Sequence, residues 1–312
     1  MNSSFDYVSA GEKSTNSLPA IILLGTIGNI LSFIVFSRKK FKNTIFETYF
    51  RLLTITDTVT MLYPTGVFLK QKFPAFIGPD LDIFGCIVFN YFTYTFPAIS
   101  AWLLTLITFD RMVSIVFPTY LKSFRKNIKY HYFFCCLATL SSMAAYSPVL
   151  IYFQFNTYTN FDNQTNQTIT YNQCNYQPEA DVLPWIDLFF ANVVPALIML
   201  ILNIATIGTL FKSRCRSSIG LTKRDIRFAF TCFALNFFFF FLLIISEIYY
   251  LSFPFATTVY IDESEFWRKV TTSIYSVNFS IIFYVNLIIN SMFQEEILNM
   301  FNEIKSFFCN KT

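Results

Sequence analysis

Charge is scarce in this 312-residue chain, 13% of residues, so every ionisable group set in an apolar run is a candidate for chemistry. The clearest case is the adjacent pair Asp110 and Arg111. It stands at the foot of a long apolar run that starts just after Asp82 and carries Cys86 near its head. A carboxylate beside a guanidinium forms a charge-assisted hydrogen bond that a competing partner can break. A helix ending at lipid headgroups would use the same two residues as solvated anchors, and the residues by themselves leave both readings open. Asp57, Asp187 and Glu247 also lie in apolar stretches. An isolated acid at mid-membrane costs about 3 kcal/mol on insertion scales, so each needs a partner or a water-filled space. The chemistry on offer is ion pairing and cation binding. Catalysis finds no support: the single histidine, His131, has neither metal-ligand spacing nor a Ser/His/Asp set around it. At the inner end of an apolar span it is expected to be solvated.

The elements that must position these groups follow from composition. Apolar residues make up 54% of the chain and aromatics 20%, about half the charge of a soluble domain of this size. The 41 phenylalanines fall in long runs without an amphipathic period. Seven apolar spans are expected, near 18–37, 46–69, 83–117, 130–153, 184–211, 226–251 and 267–292. Each has the ~20 residues that a membrane-crossing helix needs. The third span is longer than the bilayer is thick and must tilt. No inverted repeat of spans is visible, which weighs against a transporter. The expected fold is therefore an all-α membrane protein, a seven-transmembrane-helix bundle. Residues 1–17 form an outer segment, 18–292 the bundle, and 293–312 a helix and tail.

Sidedness comes from lysine and arginine in the loops. Sixteen fall on the side holding Arg38, Lys39, Lys122, Arg125, Lys212, Arg224 and Lys305, and five on the other. The sixteen-residue side is expected in the cytoplasm, with the N-terminus outside, at the plasma membrane. Met1 to Ser17 is polar and lacks a basic region, so no cleaved signal peptide is expected. Asn2, Asn163 and Asn166 open glycosylation sequons on the outer side, whereas the sequon at Asn278 lies inside a span. The outer loop 154–183 alternates over Phe153–Thr159 and Thr168–Cys174 around an Asn/Gln turn, a hairpin signal. It brings Cys174 near Cys86. These are the two cysteines on the oxidising side, so their pairing is the economical reading. Beyond the seventh span, Phe293, Ile297, Phe301, Ile304 and Phe308 recur at helical spacing between Glu295, Glu296, Asn299 and Glu303. That pattern predicts a short amphipathic C-terminal helix on the inner leaflet lipids, with Cys309 as a palmitoylation site.

In order, Gly28-Asn29, Asp57, Pro64, Cys86, Ser100, Asp110-Arg111, Pro118, Pro148, Cys174 and Pro195 resemble the rhodopsin-like (class A) G-protein-coupled receptors. The stretch from Ser100 to Arg111 looks most like the invertebrate neuropeptide, FMRFamide-receptor-like, branch. The resemblance covers essentially the whole chain. It implies a receptor that binds an extracellular ligand and activates a heterotrimeric G protein, with no nucleic-acid partner. Arg111 would be held by Asp110 at rest, with Asp225 as a second restraint. Asn29, Asp57 and Ser100 would form a polar cluster that binds a sodium ion. Departures concern the switch. Met112 replaces an aromatic, and the sixth span lacks the Trp-x-Pro hinge. Asn286 and Asn290 stand where Asn-Pro-x-x-Tyr is usual, Asn203 stands for a fifth-span Tyr, and the fourth span lacks its Trp. These imply altered contacts or weak signalling.

Amine receptors of this family need an Asp where Thr93 stands, and opsins need a seventh-span Lys that is missing between Val270 and Met292. The outer loops carry ten acids against five bases, a surplus that attracts cations. Asp187 and Glu247, with Asn90, Tyr94, Tyr250 and Tyr275, would form an amphipathic pocket. The expected ligand is an Arg-containing, C-terminally amidated peptide. Solvated helix-end carboxylates, or an internal partner such as Lys269, are the bland reading of the two acids. A small-molecule chemosensory receptor and, further off, a transporter or channel are the alternatives.

Overall fold

The computed structural model describes residues 7–41, 45–73, 83–117, 128–162, 167–176, 182–216, 223–252 and 261–309. Helix α1 spans Tyr7–Phe36; α2 (Ile45–Thr60) and α3 (Leu62–Lys72) share the second span. The third span is one helix, α4 (Ile83–Val116), and the fourth is α5 (Ile128–Ala145) with α6 (Val149–Tyr152). Strands β1 (Phe153–Asp162) and β2 (Gln167–Tyr176) follow, then α7 (Val182–Ile186), a π-helical segment (Asp187–Val193) and α8 (Val194–Arg216). The chain ends with α9 (Lys223–Ser252), α10 (Ile261–Asn278), α11 (Ile281–Ile289) and α12 (Ser291–Cys309).

Five stretches are long and apolar enough to cross a membrane: Ser17–Phe36, Thr48–Leu69, Ile83–Val116, Lys129–Tyr152 and Val182–Lys212. The pair α10–α11, bent by 44°, makes a sixth, and Ile226–Leu242 within α9 is the seventh apolar stretch. All seven expected spans are therefore helices of one bundle. In α4, 67% of the apolar stretch is buried, against 28% to 39% in the other four long spans, so α4 is the central helix. The outward faces remain apolar, with Leu23, Ile27, Phe133, Leu137, Ile201 and Phe237 exposed where a bilayer would cover them.

The spans break where local chemistry demands it. Pro64 clashes with the carbonyl four residues back, and α2 gives way to α3 at Met61. Pro148 separates α5 from α6 in the same way. Pro195 offers no N–H to Ala191, and the segment just before it widens to π-helix, closed by the Val194 N–H to the Phe189 carbonyl. The α10–α11 bend has no proline. There Ser276 and Ser280 donate to the carbonyls of Thr272 (2.7 Å) and Ser276 (2.6 Å), back-bonding that bends helices. This is how a Ser/Thr-rich span satisfies its hydroxyls. Helix α1 packs closely on the bend, and any Cβ on Gly25 would overlap the Ser280 hydroxyl. By contrast α9 carries no proline and is unbroken.

The loop between the fourth and fifth spans is the expected hairpin, antiparallel with Phe155 opposite Cys174. Its Cys174 is disulfide-bonded to Cys86 at the head of α4. That bond sits in an apolar cluster with Ala98, Tyr146, Val149, Phe153 and Leu183. A larger cluster fills the opposite half of the bundle, including Phe36, Phe50, Leu103, Ile107, Leu235, Phe239 and Phe293.

Candidate functional site

At the foot of α4 the Arg111 guanidinium donates to Asp110 Oδ2 at 3.2 Å, and the two residues are only 3% and 5% exposed. Solvated headgroup anchors would be open, so the interfacial reading of this pair does not describe the structure. Arg111 also lies over the Phe228 ring of α9, with Cζ 4.2 Å from the ring centre. The pair therefore couples α4 to α9 by a cation–π contact. The side chain of Asp225, the expected second restraint, lies outside the described residues.

Two further polar contacts near this end were not foreseen. His131, expected to be solvated, is 1% exposed, and a hydrogen bond of 3.0 Å joins its Nδ1 to the Tyr49 hydroxyl. The rings meet edge to face, so the histidine stitches α5 to α2. Between α4 and α9, the Asn236 amide donates to the Thr108 hydroxyl at 2.8 Å. That hydroxyl donates in turn to the Leu104 carbonyl at 2.8 Å. A signal for Asn236 was available: an amide inside the phenylalanine-rich sixth span needs a partner. The identity of that partner was not readable.

At mid-bundle, Asp57 is buried on α2 and accepts a hydrogen bond from the Ser100 hydroxyl at 2.6 Å. A cavity of about 20 Å³ lies against them, lined also by Asn278, Leu104, Leu235 and Phe239. Such a volume holds one water-sized species. Asp57, Ser100 and Asn278 supply its oxygen-bearing side chains, the hard kind of donor a small cation takes, and the other seven lining residues are apolar. Asn29, expected in this cluster, is buried nearby but donates instead to the Phe279 carbonyl at 2.9 Å. Its task is set by the α10–α11 bend, which frees that carbonyl.

Asn286 and Asn290 build a corner. Asn290 donates to Asn286 Oδ1 at 3.1 Å, and its own Oδ1 accepts the Phe293 N–H at 3.3 Å. Asn290 is therefore the N-cap of α12. Gln294 closes the other side, donating to the Leu287 and Ile288 carbonyls at 2.8 and 3.1 Å. The segment after α1 holds α12 by charge. Arg38 pairs with Glu296 at 2.8 Å and also with Glu303, and Lys40 pairs with Glu295. Hydrogen bonds from Lys40 and Arg38 hold the Glu295 and Glu303 carboxyls below the usual range, and the glutamates push the Arg38 guanidinium up. Phe293 and Ile297 of α12 are buried, while Leu298, Phe301, Ile304 and Phe307 are exposed. Asn203 on α8 is half-buried and makes no side-chain hydrogen bond to another described residue.

At the hairpin end, Asp187 stands at the start of the π-helical segment and accepts the Tyr146 hydroxyl at 2.7 Å through Oδ1. Tyr94 stacks on Tyr146, with centroids 5.9 Å apart. Asn90 is committed to the clasp: its amide donates to the Cys86 carbonyl at 2.8 Å and to Cys174 Sγ at 3.2 Å. Tyr275 packs on Phe279, with centroids 4.8 Å apart, and on Tyr63. The structure thus brings Asp187 and Tyr94 together through Tyr146, a residue the sequence reading missed because nothing local marks it. The side chains of Glu247, Tyr250 and Cys309 lie outside the described residues, as do Asn2, Asn163 and Asn166.

A known family has a model that matches this arrangement of spans and motifs. Described as 7 transmembrane receptor (rhodopsin family), it matches residues 28–294.

Proposed function

Since the chain belongs to the rhodopsin family of seven-transmembrane receptors, we propose that it is a receptor for a cationic, C-terminally amidated peptide. As a member of that family it is a multi-pass membrane receptor that turns binding of an extracellular ligand into activation of a heterotrimeric G protein. In the proposed orientation the hairpin faces outward. The α12 end faces the cytoplasm, the side on which sixteen lysines and arginines fall.

One observation supports the ligand class above others. Asp187 is a half-buried carboxylate whose Oδ1 is held by Tyr146, the ring on which Tyr94 stacks. A guanidinium or ammonium group would find a fixed acceptor there, and an adjacent aromatic ligand side chain would stack. Glu247, in the outer part of the sixth span, is the second carboxylate of this reading. At ~4 Å and an effective dielectric near 20, one such pair is worth up to ~4 kcal/mol before desolvation. The acidic surplus of the outer loops would speed arrival of a cation.

In the proposed mechanism, ligand contact at the hairpin end shifts the bundle toward a state in which α9 leaves α4 and Arg111 is freed from Asp110. Asp57, Ser100 and Asn278 would hold a sodium ion in the resting state. The test is nucleotide exchange in membranes with a panel of amidated peptides. Asp187→Asn and Glu247→Gln are each expected to lower the potency of an Arg-containing agonist roughly tenfold, about 1.4 kcal/mol. The loss should be smaller for the agonist with citrulline in place of Arg. Unchanged potency in both variants, or an anionic or lipid agonist, would overturn the ligand assignment.

A further inference from the structure

We propose that the Asn236–Thr108 hydrogen bond is the resting-state latch between α4 and α9; this deepens the receptor reading above and rests on it. The pair lies in apolar surroundings, with Leu104, Ile107, Cys232, Leu235 and Phe239 buried in the same cluster. Both residues are buried. The donor–acceptor chain closes on itself: Asn236 Nδ2 donates to Thr108 Oγ1, and Thr108 donates to the Leu104 carbonyl of its own helix. Thr108 is also the partner on the other side of the amide, its hydroxyl lying 3.2 Å from Asn236 Oδ1, so both polar atoms of Asn236 depend on this one residue. A small outward movement of α9 therefore leaves its amide unpaired inside an apolar region, which is costly.

Three features make this contact a latch in addition to packing. First, among the described residues α9 packs more extensively on α10 and α11 than on α4, so it can part from α4 while keeping the larger part of its packing. Second, its outward flank is Phe230, Phe233, Phe237, Phe240 and Phe241, all exposed to a fluid apolar phase that offers no directional resistance. Third, α9 is a single unbroken helix, so separation at one level is transmitted along the rod. The neighbouring Arg111–Phe228 contact is electrostatic and tolerant of direction, whereas the amide–hydroxyl bond is short-ranged and lost within about an ångström.

The experiment compares Asn236→Leu, Thr108→Val, the double variant and Thr108→Ser at matched surface level, without ligand. Membrane interhelical hydrogen bonds have a modest range of strengths, so basal nucleotide exchange should rise about 3-fold and at most about 20-fold in each single variant. The double variant should rise no further than the larger single, because one bond is removed once. Thr108→Ser keeps the hydroxyl and should stay at the wild-type level. A second readout is the distance between spin labels at positions 117 and 227, in a background with Cys136, Cys215 and Cys309 replaced by serine. A longer-distance population should appear in Asn236→Leu. Unchanged distances, or additive effects of the two substitutions, would overturn the latch. A distance change without any change in exchange would uphold the latch and overturn the signalling reading instead.

Discussion

The Arg111 guanidinium is held from two sides, by the Asp110 carboxylate at 3.2 Å on its own helix and by the Phe228 ring at 4.2 Å on α9. Removing either restraint should release it. Asp110→Asn and Phe228→Leu are each expected to raise ligand-free nucleotide exchange, the second by the ~0.5–2 kcal/mol that a cation–π contact supplies. Arg111→Ala should abolish exchange and leave radioligand binding largely intact. Unchanged coupling in Arg111→Ala would remove the residue from the signalling path.

Ser100 donates across 2.6 Å to Asp57 and so ties α4 to α2 in the middle of the bundle. Ser100→Ala leaves a buried carboxylate without its hydroxyl donor, at a cost of about 1–3 kcal/mol. Its detergent-solubilised form should melt several degrees below wild type. If the cavity takes sodium, exchanging sodium for choline should lower the wild-type melting temperature and leave Asp57→Asn unmoved, since a ligand stabilises only the state that binds it. An equal response of both proteins would exclude the ion.

The Cys86–Cys174 clasp joins residues 88 positions apart, and such a loop closure is worth nominally ~2–4 kcal/mol. Cys86→Ala should sharply reduce surface expression. Asn90→Ala, which removes a hydrogen bond to each half of the clasp but not the bond itself, should reduce it less. Thiol-alkylation mass spectrometry provides the check, and two free thiols in folded receptor would refute the pairing.

Docking of α12 should depend on pH in the acid range only. Lys40 and Arg38 hold the Glu295 and Glu303 carboxyls below their ordinary value near 4.5. Groups whose folded value is depressed contribute stability above the unfolded value and lose it as pH falls through the folded one. Hydrogen exchange over Ser291–Cys309 should therefore be flat from pH 8 to about 5 after correction for intrinsic rates. It should speed up below about 4.5. Arg38→Gln should speed exchange at neutral pH, because the buried Glu296 also loses its 2.8 Å ion pair and keeps only Asn299 at 3.2 Å and Lys40 at 4.0 Å. A change centred near pH 6.5 would point to a different group.

The apolar spans, the hairpin and its disulfide were legible because each rests on a one-dimensional signal. Twenty apolar residues mark a span whatever its neighbours, and alternation from Phe153 to Thr159 marks a strand. Cysteines on one face of the membrane mark a pair. The positions of Asp57, Asp110 and Arg111 were legible for the same reason, since charge in an apolar run is visible from the chain alone.

Which helix faces meet was decided by the tertiary structure. In a bilayer, lipid and protein interior are both apolar, so hydropathy does not tell the face of α9 carrying Asn236 from the face carrying Phe237. The burial of His131 on Tyr49, the Tyr146 partner of Asp187 and the turn of Asn29 toward the Phe279 carbonyl are contacts between residues 41 to 250 positions apart. Each depends on helix rotation and crossing, set by packing of the whole bundle. The α10–α11 bend was hidden for a related reason: it arises without proline, from serine hydroxyls competing for their own helix's carbonyls. Only when α1 is laid against that bend does Asn29 acquire a partner.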